Sequence, residues 1–216
     1  MTMSLSRPPR WGLLCFLGFA TLVGGVAFAE GRDDSFLAKK IEFDNKDGDE
    51  AFRLDPEGSE VELQTAGGKK RLASYQKKDA TILIELPKRG VTGSVEVDAD
   101  REIFTLKNET GVVQWTLERE PDGDWRLCDA KKTLKVKLKL RDDGYKLVDA
   151  EDNEKGRIKV KEDKISIRNG EKKEVLRTKD TRSPLVAACF NLEGLTMPQK
   201  GALALAVLSW PPKTSE

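Results

Sequence analysis

Seven basic side chains are the first residues whose type and spacing could do chemistry. Lys135, Lys137, Lys139 and Arg141 alternate with Leu134, Val136, Leu138 and Leu140. Arg157, Lys159 and Lys161 alternate with Ile158 and Val160. In an extended chain successive side chains point to opposite faces, so each basic set shares one face. If the two strands lie close together, seven like charges form one patch. Such a patch attracts an anionic lipid, a glycan or an acidic protein surface. The plainer reading is a solvated sheet face whose lysines prevent edge-to-edge aggregation. The near balance of 38 Lys+Arg against 37 Asp+Glu favours the plainer reading and gives no reason to expect a nucleic-acid partner.

Other chemistry is scarce. The chain has no histidine, which removes the commonest general base, the usual metal ligand and every Ser-His triad. It carries no nucleophile elbow, phosphate-binding loop or dinucleotide fingerprint. No catalytic residue, metal ligand set or cofactor is therefore assigned. Asp and Glu are plentiful enough for a carboxylate-based hydrolase, but no pair stands out from the turns. Two acidic loops, 44–50 and 149–154, have the composition of a Ca²⁺ loop without its ligand order, because Lys46 stands at a ligand position. They read as acidic turns. Cys128 and Cys189 are candidates for a disulfide, with two buried thiols as the alternative. Closing a loop of about 60 residues stabilises a fold by about 4 kcal/mol in the chain-entropy model. Alternation in 125–128 (WRLC) puts Cys128 with Arg126 on the polar face, where a free thiol in an exported protein is a liability.

These residues need elements to hold them. Residues 1–29 have the layout of a secretory signal peptide: Arg7 and Arg10, an apolar run, then Ala27-Phe28-Ala29. Cleavage after Ala29 gives a periplasmic or extracellular protein with no stable membrane span. An uncleaved segment would instead anchor it to a membrane. Removing residues 1–29 takes away two basic residues and no acidic one, so the net charge goes from +1 to −1. Residues 30–40 form a loose lead-in, 41–210 a single β-rich domain, and 211–216 a tail. Fourteen short alternating runs predict strands near 40–44, 50–54, 59–65, 71–76, 80–86, 93–98, 101–107, 111–119, 123–128, 133–141, 144–149, 156–161, 164–168 and 173–178. Gly, Asp, Asn and Pro separate them, so the chain reads as an antiparallel meander. A recurring unit (aromatic, basic, Leu, acidic turn, strand) appears at Phe52, Trp125 and Tyr145. Asn169-Gly170 signals a hairpin, and a loop longer than two residues lets Ile167 meet Val175.

The end of the chain has a different character. Residues 202–208 (ALALAVL) contain no polar side chain. A helix apolar on every side must be buried all round. Ser183 as N-cap and Pro184 predict a helix over 184–193, ended by Gly194. Thr196 and Gln199 in capping-box spacing predict a second over 197–209. The fold class is mainly β: an antiparallel meander barrel or curled sandwich, enclosing or capped by a C-terminal apolar helix.

The runs YKLVDAEDNEKGRIKV and KISIRNGEKKEVLRTK, followed by LALAVL, resemble the tubby-like and phospholipid-scramblase superfamily over about residues 123–210. That resemblance implies a closed β-barrel wrapped around an apolar C-terminal helix. It also implies action at membranes or on phosphoinositides, mostly inside cells. The basic pocket residues of the phosphoinositide binders have no counterparts that can be placed on this chain. Export without catalytic groups points to a non-enzymatic domain that binds an anionic surface, lipid or glycan. The alternatives are a structural or accessory envelope protein docking a protein partner, and a carboxylate-based enzyme of unfamiliar type.

Overall fold

Alternating apolar and charged residues set the strands, and Asx turns join them. The computed structural model describes residues 36–180 and 182–210; the expected signal peptide (1–29), the start of the lead-in and the tail (211–216) lie outside the described residues. In chain order the strands are β1 (Ile41–Asn45), β2 (Glu50–Glu57), β3 (Glu60–Thr65), β4 (Arg71–Lys78), β5 (Thr81–Leu86), β6 (Gly90–Asp98) and β7 (Ile103–Asn108). They continue with β8 (Val113–Arg119), β9 (Trp125–Asp129), β10 (Leu134–Arg141), β11 (Gly144–Val148), β12 (Glu154–Lys161), β13 (Lys164–Asn169) and β14 (Glu174–Thr178). Each pairs antiparallel with its sequence neighbours, and β1 pairs with β14 to close a barrel. The closing seam is thin, with two register pairs (Asp44 with Arg177, Asn45 with Leu176).

One turn recurs at a single end of the barrel. At Asn45, Asn108, Asp129, Asp149 and Asn169 the side-chain Oδ1 accepts from the backbone N–H groups two and four residues on. The N–H three residues on donates to the carbonyl of the Asx residue itself. That fourth residue is left-handed even where it is not glycine, as at Lys132, Asp152 and Lys172. The Asx side chain stands in for missing backbone partners, which is why Asp and Asn stand at these places. At Asn169 the longer loop forms as expected, but Ile167 faces Leu176 rather than Val175, because the register shifts after Ile167.

The recurring unit is a hairpin that puts its aromatic and its Leu inside. Phe52 and Leu54, Trp125 and Leu127, and Tyr145 and Leu147 are all buried in one core cluster. On β10 the alternation is only half kept. Val136 and Leu138 are buried, whereas a bulge sets Leu134 opposite Cys128 and Leu140 is 45% exposed at the strand end.

The lumen holds a helical hairpin, α1 (Pro184–Cys189) and α2 (Met197–Ser209). Seven consecutive residues of α2, Gly201 to Val207, are buried. Consecutive burial means burial on every face, as a helix without a polar side requires. The capping box forms: Thr196 Oγ1 accepts from the Gln199 N–H, and Gln199 Oε1 accepts from the Thr196 N–H. Gln199 Nε2 also donates to Gln114 Oε1 on β8 at 2.8 Å, fixing where α2 starts. At the far end, Lys77 Nζ lies 4.4 Å from the centre of the Trp210 ring.

α1 stops earlier than expected, at Cys189 rather than at 193, and Ser183 makes no side-chain cap. Phe190, Asn191 and Leu192 donate to carbonyls three residues back, which tightens the last turn. The Phe190 ring is held 4.5 Å from that of Phe43 and 4.9 Å from that of Phe52. Asn191 Nδ2 donates to the Arg168 carbonyl at 3.1 Å, and Lys200 Nζ donates to the Phe190 carbonyl at 3.2 Å. These contacts pull the chain toward the wall before a third helical turn can form.

Packing between α2 and the wall is closest at Gly201. A Cβ there would lie 2.2 Å from the Tyr75 hydroxyl, which itself donates to the Pro198 carbonyl at 3.0 Å. Gly201→Ala is expected to destabilise the barrel by about 1–3 kcal/mol through overpacking. Chemical denaturation should show this as a lowered midpoint at unchanged slope.

Burial drives the pKa values of Tyr75 and Cys189 well above their ordinary values, and that of Tyr145 upward as well. In the unfolded chain a thiol ionises near ~8.5 and a phenol near ~10. Above those values unfolding releases protons that the folded state keeps, so stability falls as pH rises. Half-buried Lys200 acts the other way, because burial lowers its pKa. Two deeply buried groups, the Cys189 thiol and the Tyr75 phenol, outweigh it, and each removes up to about 1.4 kcal/mol per pH unit above its unfolded pKa. Denaturant midpoints from pH 7 to 11 should fall above pH ~8.5, and Cys189→Ala should delay the onset.

Candidate anion-binding groove on the outer wall

Inward-facing apolar residues leave the charged positions of every strand on the outside. On four neighbouring strands most of those positions are basic. The outward residues are Lys139 and Arg141 on β10, Gly144 and Lys146 on β11, Arg157 and Lys159 on β12, and Ser166 and Arg168 on β13. The register sets Lys139 opposite Lys146, Lys146 opposite Arg157, and Arg157 opposite Arg168. One rung along, Arg141 faces Gly144 and Gly144 faces Lys159. Because Gly144 has no side chain, the wall is hollowed between these cations. The resulting groove of about 470 Å³ is lined by Arg141, Lys146, Arg157 and Lys159, with Asp142 and Asp143 at its rim and Tyr145 among its lining. Gly144 is also required by the backbone: φ is +132°, and a Cβ would lie 2.2 Å from the Ile158 carbonyl oxygen.

The cations differ in how firmly they are held. Arg157 makes a two-pronged contact with Glu154, Nε to Oε1 at 2.6 Å and Nη2 to Oε2 at 3.0 Å. That guanidinium holds the Glu154 carboxyl below its usual range. Lys159 Nζ lies 2.7 Å from Asp143 and lowers that carboxyl's pKa. Lys139 Nζ lies 2.5 Å from Asp152, which is 64% exposed. Lys146 reaches Glu154 only at 3.8 Å. Arg141 donates to the Leu140 carbonyl, and Arg168 donates to the Ser166 hydroxyl at 3.4 Å. Among the described residues, neither Arg141 nor Arg168 makes an ion pair.

Of the seven basic residues singled out in the sequence, Arg141, Arg157 and Lys159 line this groove, and Lys139 stands beside it on β10, opposite Lys146. Lys135 and Lys137 do not join it. Lys135 Nζ is 3.0 Å from Asp129. Lys137 Nζ lies 2.6 Å from Glu120, 3.3 Å from Asp124 and 3.9 Å from Asp122. The close approach of Glu120 raises the pKa of Lys137, fixing its charge. Those three carboxylates are grouped closely enough to hold a metal ion, but the Lys137 ammonium already lies among them. Lys161 stands at the strand end, opposite Lys164. Sequence reasoning missed Lys146 and Arg168. The meander order carries the signal, because β11 must lie between β10 and β12 and brings Lys146 with it.

The two cysteines are free and buried, so the disulfide considered for them is not formed. Cys189 lies on α1 within the core cluster, whereas Cys128 is outside that cluster. Cys128 does share a face with Arg126, whose guanidinium pairs with Glu118 and Glu120. That face is locally covered, leaving Cys128 4% exposed. The strand wall stands between the two thiols. The two acidic loops serve as turn formers, through Asn45 and Asp149.

A larger cleft of about 690 Å³ opens where β1 and β14 part. Its lining carries four cations (Lys39, Lys40, Lys179, Arg182) against three carboxylates (Glu42, Asp44, Asp180), with Lys40 paired to Glu42 at 2.6 Å and Arg182 to Asp180. The outer-wall groove, with four cations against two carboxylates, has the stronger chemical preference. Comparison with protein-family models, with curated proteins and with solved structures finds no match for the chain.

Proposed function

We propose that this chain is an exported, non-enzymatic binding module that takes anionic ligands at the groove over Gly144. The observation that carries this reading is the meeting of Arg141, Lys146, Arg157 and Lys159 around a hollow in the wall. A carboxylate, sulfate or phosphate seated there would meet guanidinium donors in fork geometry and two ammonium groups. The flanking ion pairs are partly exposed, and such pairs are worth about 0–1 kcal/mol, so an incoming anion displaces them cheaply. Export rests on the signal-peptide layout of residues 1–29. No helix among the described residues is long and apolar enough to cross a membrane. The closed barrel with an enclosed apolar tail supports a relationship to the tubby-like and scramblase superfamily at the level of architecture.

Heparin is a suitable polyanionic probe. Binding should weaken steeply with salt, and the double substitution Lys146→Glu with Lys159→Glu should reduce affinity about 10–100-fold, at about 1 kcal/mol or slightly more per cation removed. Lys135→Glu should change it less than about 3-fold, because Lys135 is outside the groove. Equal losses at Lys135 and in the groove would overturn the assignment to this site. Retained binding by the double variant would do the same.

A further inference from the structure

The four opposed cations on β10 to β13 form a line, and a line selects a shape of ligand. Lys139, Lys146, Arg157 and Arg168 stand directly opposite one another across three consecutive strand pairs. Neighbouring strands lie ~4.8 Å apart, so the row offers a cation about every 5 Å over roughly 15 Å, at right angles to the strands. Like charges directly opposite each other destabilise a sheet, so the barrel gains nothing from this row by itself. Asp152 and Glu154, both from the β11–β12 hairpin, offset part of the repulsion from one side. Arg168, at the other end, stands opposite Glu174 on β14 and contacts Ser166, whose hydroxyl donates to Glu174 at 2.6 Å.

We propose that the groove's ligand is a linear acidic polysaccharide, a chain of uronic acid residues lying across β10–β13 with successive carboxylates on successive cations. This rests on the reading of the groove as an anion site and adds the class and direction of the ligand. Linked uronic acids carry one carboxylate per sugar, at an interval comparable to the strand spacing. The row covers three of the fourteen interstrand steps of a closed barrel, about a fifth of its circumference. A flexible chain bends around such an arc, whereas a flat bilayer touches its middle and leaves both ends. A single-stranded nucleic acid would want an exposed aromatic platform. Tyr145, the aromatic of the groove lining, is only 9% exposed.

Calorimetric titration of the whole exported chain with oligogalacturonates of one to eight sugars tests this. Affinity should rise about 10-fold or more between one sugar and four, then flatten once the row is spanned. Lys139→Gln with Arg168→Gln, substitutions at the two ends of the row, should move the plateau to about two sugars while the one-sugar affinity stays within about 2-fold. Thermal unfolding of each variant shows that the fold is kept. If that double variant does not fold, Arg168→Gln alone should move the plateau to three sugars. Binding of galacturonate monomer and inorganic phosphate with no gain in length would overturn the linear track and leave the anion groove standing. Binding to phosphatidylserine vesicles but not to oligogalacturonates would overturn it in favour of a membrane. No binding of any of these anions would overturn both readings.

Discussion

A helix without a polar face cannot stand in water, and this chain ends in one. From Ala202 to Val207 every side chain is apolar and every residue is at most 1% exposed. Covering that surface requires an enclosure wider than one formed by a small barrel. Eight strands close around an interior that side chains alone can fill. Fourteen strands leave room for a helix with side chains, about 10–12 Å across, and for the short return segment that brings it inside. The size of the barrel and the apolarity of its contents are thus one constraint seen from two sides. Gly201 shows how tightly it is met, since the Tyr75 hydroxyl occupies the space where a side chain would begin.

That constraint also decides what each strand shows to water. With the lumen filled by hydrocarbon, the inward positions carry Leu, Ile, Val and aromatic residues, and the outward ones carry the charge. The outer wall is laced with ion pairs that cross between strands, such as Arg119 with Glu102 and Lys107 with Glu96. This polarity is the reverse of that of a barrel built to face lipid, whose outside is an apolar band and whose lumen is polar. Few large apolar side chains break the pattern: Val91, Val112, Leu140 and Val175 are the exposed ones among the described residues.

Much of this was legible because the period of the pattern is unmistakable. All fourteen strands read as alternating runs, and the capping box at Thr196 and Gln199 marked the start of α2. The misses share a cause. Alternation assigns a face but not its burial, so it puts Cys128 on the outer face and leaves open the choice between a disulfide and two buried thiols, of which the structure has the thiols. Propensity and caps carry α1 to Glu193, whereas the wall, through Phe43, Phe52 and Arg168, ends it at Cys189. Register at Asn169 was set by a bulge that no spacing rule reveals. For the groove, single strands were read without their neighbours. Lys146 belongs to β11, and its place between Lys139 and Arg157 is a property of the meander, not of either flanking strand.

The groove is therefore best understood through what the barrel does not require. Ion pairs such as Lys137 with Glu120 and Asp124 give the wall favourable contacts, and they explain why basic residues there are silent. The row from Lys139 to Arg168 is different. Its members oppose one another across the ladder, and two of the four are held only by Glu154 at one edge. Beside it, Gly144 keeps the surface hollow by a backbone geometry that forbids a side chain. An acid meets the row at its β14 end, where Glu174 faces Arg168, but none is interleaved between Lys139 and Arg168, unlike β8 and β9, where Glu118 faces Arg126. Like charges also face each other at Lys161 and Lys164 and at Lys137 and Arg126, but the row from Lys139 to Arg168 runs across three strand pairs beside a hollow, which is what an anionic chain requires.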